Sequence, residues 1–291
     1  MVREPVEPEL GLAAALPPHA LRPGAAGGHP AIPPRRGAEA MSALGGTIGR
    51  PRVAGWVAAE LWGVASRLPW RRSILLKPYR AIYISVPKVA CTSFKTAFAR
   101  LLGLNLDRAR GDPHRVWYPT PVPIGSLQRL LYPGFFRFAF VRNPWDRLVS
   151  CYRDKIRNEV DGHTYFTIRP GVANCLARFD AFVADMSFDD FVAAVASIPD
   201  ADADEHFRSQ HTFLVNRRGE IAADFVGRYE RLADDFRIVQ QRTGLPDIEL
   251  PRLQAARTAA RYAAYYTPRT RDIVAGRFGR DIEMFGYEFG A

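Results

Sequence analysis

Residues 80–104, RAIYISVPKVACTSFKTAFARLLGL, leave a folding chain few options. Ile82, Ile84 and Val86 alternate with Ala81, Tyr83 and Ser85, and all but the serine are apolar or aromatic. A short run this apolar reads as a strand covered on both faces, as in a parallel sheet. Pro87 ends it, because proline has no N–H for the ladder. Phe94, Ala97, Phe98, Leu101 and Leu102 then recur at helical spacing, with Thr92 or Ser93 as the expected cap and Gly103 as the stop. A strand-to-helix turn aims unpaired N–H groups and the positive helix end at one point. Lys88, Thr92 and Ser93 stand at that point, so the turn reads as a phosphate site. The bland alternative is a solvated lysine beside a plain helix cap. The glycine-rich loop G-x-x-x-x-G-K-[ST] is absent, which disfavours an ordinary P-loop kinase or ATPase.

A second unit, FRFAFVRNPWDRLVSCYRDKIRN at 136–158, repeats the pattern. Phe138, Ala139, Phe140 and Val141 form a buried strand. Asn143 is a good N-cap and Pro144 suits the first helical position, where its missing N–H costs nothing. Trp145, Leu148, Val149, Tyr152 and Ile156 make the apolar stripe. Ser150 follows Asn143 by about two helical turns and so returns to its face. Arg142 at the strand end and Ser150 on the helix can grip one phosphate between them, a fork of donors and a hydroxyl.

Together the two units resemble the sulfotransferases that use 3′-phosphoadenosine-5′-phosphosulfate (PAPS), and most of all the carbohydrate sulfotransferase branch with its bacterial members. The resemblance implies that Lys88, Thr92 and Ser93, with the backbone of Val89, Ala90 and Cys91, bind the 5′-phosphosulfate. It implies that Arg142 and Ser150 bind the 3′-phosphate. DEHFRSQ (204–210), FVGRYERLADDF (225–236) and DIEMFGYEF (281–289) are similar to three further segments of that branch, so the likeness runs from about residue 80 to 290. Phe207 and Ser209 depart from its pattern, on the acceptor side. The implied fold is α/β and P-loop-like: three layers, with a central, mainly parallel sheet flanked by helices.

Residues 1–50 are rich in proline, alanine and glycine without periodicity and read as a disordered tail. His19 and His29 within it read as inert, and either Met1 or Met41 can serve as the start. Residues 51–79 read as a helical lead-in, either packed on the domain's edge or lying on a membrane surface. The run around 53–70 is too short, and interrupted by Glu60, to span a bilayer. Residues 80–291 make up the expected sulfotransferase domain.

His114, in a loop between the two phosphate units, is a candidate base by position. His206, beside Asp202, Asp204 and Glu205, is the other. His163 and His211 read as structural. Residues 159–204 are expected to be a helical insertion shaping the acceptor pocket, with Ser187 capping a helix. HTFLV from His211 is expected to be a strand, followed by a hairpin turn at NRRGE. Tyr262, Tyr265 and Tyr266 either line the site or belong to the core.

Net charge is +10, carried by forty basic residues of which Lys77, Lys88, Lys95 and Lys155 alone are lysines. Such a surface favours anionic small molecules or acidic glycans. Cys91, Cys151 and Cys175 have no metal-ligand spacing and suit a reducing compartment. The expected activity is in-line sulfuryl transfer from PAPS to a hydroxyl, on a carbohydrate, with Lys88 stabilising the leaving phosphate and no metal. A cytoplasmic location is expected, with peripheral membrane contact through 51–79 left open, and no nucleic-acid partner. The alternatives are an ATP-dependent kinase with a degenerate phosphate loop and a non-catalytic anion-binding protein.

Overall fold

The computed structural model describes residues 73–290 apart from 110, 122–125, 158–170, 249 and 251–261. The expectations for the 1–50 tail, the helix at 53–70 and His163 lie outside these residues. Four strands form one sheet in the order β1 (Ser73–Leu76), β2 (Ala81–Ile84), β3 (Phe136–Val141) and β4 (Phe225–Arg228). β2, β3 and β4 are parallel, and β1 is antiparallel to β2. This is the expected α/β architecture, a mainly parallel sheet flanked by helices.

The apolar runs explain the layering. β2 is buried along its whole length, and β3 in all but its first residue. α1 (Cys91–Leu101) lays Phe94 and Phe98 over Tyr83, Phe138 and Phe140, and Phe236 of α6 (Leu232–Thr243) closes the cluster. A second core surrounds α3 (Pro144–Lys155). Trp145, Leu148 and Tyr152 pack there with α4 (Phe188–Ser197) and α7 (Pro268–Arg277). Tyr262, Tyr265 and Tyr266 belong to this core. α2 (Ser126–Leu131), α5 (His211–Leu214) and α8 (Gly279–Phe285) complete the helices among the described residues.

Four expectations change. Ser73–Leu76, inside the expected helical lead-in, is a strand with all four residues buried, pairing with the free edge of β2. The N-cap of α1 is Ala90, in left-handed backbone with no side-chain cap bond, and not Thr92 or Ser93. Between 171 and 204 the α-helix is confined to 188–197, capped by Ser187 as expected, and the rest is turns. His211 starts a short helix and no strand. The Asp281 carboxylate accepts from the backbone N–H of Gln210 and His211 at 2.6 and 2.8 Å and fixes that turn. The hairpin turn after it does form, closed by a Val215–Ile221 bridge.

Candidate active site

The turn between β2 and α1 is built on unusual backbone. Lys88 (φ 68°) and Ala90 (φ 51°) are both left-handed, a conformation that costs a non-glycine residue about 1–2 kcal/mol. Backbone of this kind aims consecutive N–H groups into one anion-binding concavity. No side chain caps α1, so its first-turn N–H groups are left unclaimed by a cap. The turn thus reaches by strain the left-handed backbone that a glycine-rich loop reaches by permissiveness.

α3 holds this turn in place. Asn143 caps the helix, accepting from the N–H groups of Trp145 and Asp146. From there Asn143, Arg147, Ser150 and Asp154 follow at helical spacing down one face. Arg147, 3% exposed, donates to three carbonyls: Pro87 at 2.9 Å, Arg208 at 2.8 Å and Glu205 at 3.1 Å. It thereby ties the residue before Lys88 to the segment that carries His206. Asp154 accepts from Lys88 Nζ at 2.7 Å and from Lys155 Nζ at 3.1 Å. Burial works to raise the Asp154 carboxyl, but the two ammonium groups outweigh it and hold the group below the usual carboxylate range.

Arg142 leaves the end of β3 toward the same turn. Its Nη1 donates to the Lys88 carbonyl at 3.2 Å, so the two strand–turn–helix units meet there. Nε donates to Asp146 at 2.7 Å, and the guanidinium lies 4.2 Å over the Tyr229 ring. Burial opposes its charge, yet Asp146 more than compensates and the group is held more firmly protonated than usual. Gln210 pins the Arg142 backbone with a reciprocal pair of bonds, 2.9 and 2.8 Å. Ser150, half-buried, sits on the α3 face between Arg147 and Asp154.

The two candidate histidines are held differently. His114 lies against the turn itself. Its Nδ1 is 3.1 Å from Lys95 Nζ, and its Nε2 is 3.0 Å from Thr92 Oγ1. An ammonium has only hydrogens to offer, so Nδ1 accepts and the Nε2 proton goes to Thr92. Beside it, Cys91 is drawn down to about 5. Burial acts to raise this thiol, but the His114 hydrogen bond, the Lys95 charge and the Lys88 backbone N–H prevail. His206 Nδ1 is instead 2.6 Å from Asp204 Oδ1. Burial would raise Asp204, but His206 and the Arg178 guanidinium hold it below the usual range as an acceptor-only carboxylate. In its neutral form the imidazole therefore donates through Nδ1 and carries the lone pair on Nε2.

Cys175 joins Asp204 and His206, with ligand-type atoms within 4.8 Å of one another. Arg178 already supplies a cation 3.8 Å from Asp204. Burial, and then the Asp204 charge, push the Cys175 thiol up, so it stays protonated. Within the group, Asp204 and His206 share a hydrogen bond. A pocket lined by Arg178, Phe179, Ala201, Asp202 and Arg208 lies beside it.

Sequence reasoning missed Arg147 and Asp154 as parts of the site. Their spacing from Asn143 was the available signal, since it places them on the face of Ser150. The segments at 225–236 and 281–289 prove to be braces. Glu230 accepts from the Asn143 N–H at 2.6 Å and from Tyr287 OH at 3.1 Å. The Asn143 amide donates to the Glu288 carbonyl at 2.9 Å.

The family described as the sulfotransferase family matches residues 71–288. Carbohydrate sulfotransferase 14 of Mus musculus is 30% identical over 247 residues, 77% of this chain and 62% of that protein. The protein of the same name from Danio rerio is 27% identical over 232 residues, 73% of this chain and 58% of that protein. Carbohydrate sulfotransferase 8 of Homo sapiens is 29% identical over 235 residues, 72% and 54% of the two chains. The chain therefore spans 58–62% of the length of the first of these relatives. No solved structure matches it.

Proposed function

Since the chain belongs to the sulfotransferase family, we propose that it transfers a sulfuryl group from PAPS to a hydroxyl of a carbohydrate. The observation that carries this reading is the bond from Arg142 to the Lys88 carbonyl, 3.2 Å, which brings two anion-binding arms to one place. A donor with phosphates at both its 3′ and 5′ positions needs two such arms. Relatives named carbohydrate sulfotransferases support the acceptor class.

The Lys88 turn and the start of α1 take the 5′ end, and Arg142 with Ser150 takes the 3′-phosphate. His206 acts as the base: oriented by Asp204, it offers the Nε2 lone pair to the acceptor hydroxyl. The deprotonated oxygen bonds to sulfur while the bond from sulfur to the phosphate oxygen breaks. Lys88 meets the negative charge that the departing phosphate takes up. His114, engaged at both nitrogens by Lys95 and Thr92, orders the donor turn. Asp154 is held by Lys88 and Lys155. The pocket by Arg178 and Arg208 suits the acceptor side.

The test is thermal unfolding with adenosine 3′,5′-bisphosphate, with ATP–magnesium or with neither, on wild type and Arg142→Ala. A ligand at a hundred times its dissociation constant adds about 2.7 kcal/mol to stability. The bisphosphate is expected to stabilise wild type strongly. Arg142→Ala should weaken its binding by about 1.5–3 kcal/mol, the range for a hydrogen bond to a charged group. Equal or greater stabilisation by ATP–magnesium would refute the donor assignment in favour of a kinase. No response to either nucleotide would leave anion binding without catalysis.

A further inference from the structure

We infer that Asp154 is a positioning residue for the transfer step, one that sets the Lys88 ammonium group in place for the leaving phosphate at some expense in donor affinity. The inference rests on the proposed donor chemistry at Lys88. Lys88 has a long, flexible stem, and a point charge on such a stem stabilises a transition state only if its position is fixed beforehand. Two constraints fix it. Arg147 anchors the Pro87 carbonyl at the root of the residue. Asp154 holds the tip at 2.7 Å, with side-chain exposures of 12% for the lysine and 8% for the aspartate. α3 supplies both constraints, seven residues apart on one face, so root and tip are registered by a single rigid element.

The same geometry carries a cost. Asp154 is an anion beside a turn built to receive one, and it engages the ammonium group that the 5′ end of the donor would meet. Lys155 draws on the same Asp154 oxygen at 3.1 Å and divides its charge. Asp154 thus keeps Lys88 aimed while opposing the bound anion. A residue that merely stabilised the fold would lower turnover and affinity together when removed. A positioning anion lowers turnover while leaving affinity unchanged or improved.

The experiment compares wild type, Asp154→Asn, Asp154→Glu and the charge-balanced double variant Asp154→Asn/Lys155→Met. Two quantities are read: sulfuryl release from radiolabelled PAPS to a pool of desulfated glycans under saturating donor, and the dissociation constant of adenosine 3′,5′-bisphosphate. In Asp154→Asn and in the double variant, turnover is expected to fall by about tenfold or more, the factor carried by one charged hydrogen bond. The bisphosphate should bind them at least as tightly as wild type. Asp154→Glu, which restores the carboxylate, should recover turnover above the asparagine variant. The double variant keeps the local charge balance and so serves if Asp154→Asn alone fails to fold. Wild-type turnover in the double variant, or weaker bisphosphate binding in step with turnover, would overturn the role of Asp154. Failure of the wild type to bind bisphosphate would instead refute the donor reading on which it stands.

Discussion

Arg147→Leu is the sharpest test of how the site is held together. Arg147 is 3% exposed and its three nitrogens donate to the carbonyls of Pro87, Arg208 and Glu205. Leucine fills much of the space but donates nothing. Hydrogen bonds from a charged donor contribute about 1.5 kcal/mol each at the low end, so the three come to about 4.5 kcal/mol. That is a large share of the roughly 5–15 kcal/mol that holds a domain together. At about 2–4 °C per kcal/mol for a chain of this size, the melting midpoint should drop by roughly 9–18 °C. Urea unfolding followed by fluorescence gives the free energy directly, provided the slope is unchanged. Arg147→Lys should recover little of the loss, because one ammonium group cannot span three carbonyls that a guanidinium fork reaches. A loss below about 1 kcal/mol for Arg147→Leu would refute the reasoning, since even a single neutral hydrogen bond is worth that much. It would mean that the Pro87 turn and the 205–208 segment hold their places without it.

Three further outcomes are expected. Ala90→Gly relieves left-handed strain at the cap of α1 and should raise stability by about 1 kcal/mol, read as a higher melting midpoint. Gly227→Ala drives a methyl into the buried Phe140 ring and to 3.1 Å from Asp235 Cβ, and should cost about 1–3 kcal/mol in urea unfolding. Cys91 is a thiolate above about pH 5, so its alkylation by iodoacetamide should be slow below that pH, rise through it and level off well before neutrality. Adenosine 3′,5′-bisphosphate should slow the reaction, and a rise near pH 8.5, the ordinary thiol value, would show that His114 and Lys95 do not act on it.

Local patterns revealed what local forces decide. Both strand–turn–helix units were legible because burial on two faces, a proline or an N-cap, and a helical stripe all act within a few residues. Lys88, Thr92, Arg142 and Ser150 could be picked out for the same reason, since they flank those turns. Elements governed from afar were not legible. His211 begins an apolar, β-branched run, yet it turns helical because Asp281, 70 positions away, grips its backbone. Ser73–Leu76 is a strand because β2 offers it an edge, which the preceding apolar run does not disclose. The role of Asp154 depends on a contact across 66 positions and that of Arg147 on contacts across 58–61. Helical spacing shows that they share a face with Ser150, but not what that face meets. The acid cluster near His206 was visible, but only coordinates single out Asp204, at 2.6 Å, as the partner that sets the tautomer.

The bond from Asn143 to the Glu288 carbonyl spans 145 positions and bears on the order of synthesis. A ribosome delivers β1 to β3 and the Lys88 turn long before residues 281–289 exist. During that interval the α3 cap lacks Tyr287 and the Glu288 carbonyl, so the arm that carries Arg142 emerges incompletely braced. The nascent chain can thus bury its aromatic core early yet gain a rigid Arg142 arm only as those late residues dock. Shortened chains that stop before 281 should therefore be expected to keep sheet structure while losing nucleotide affinity.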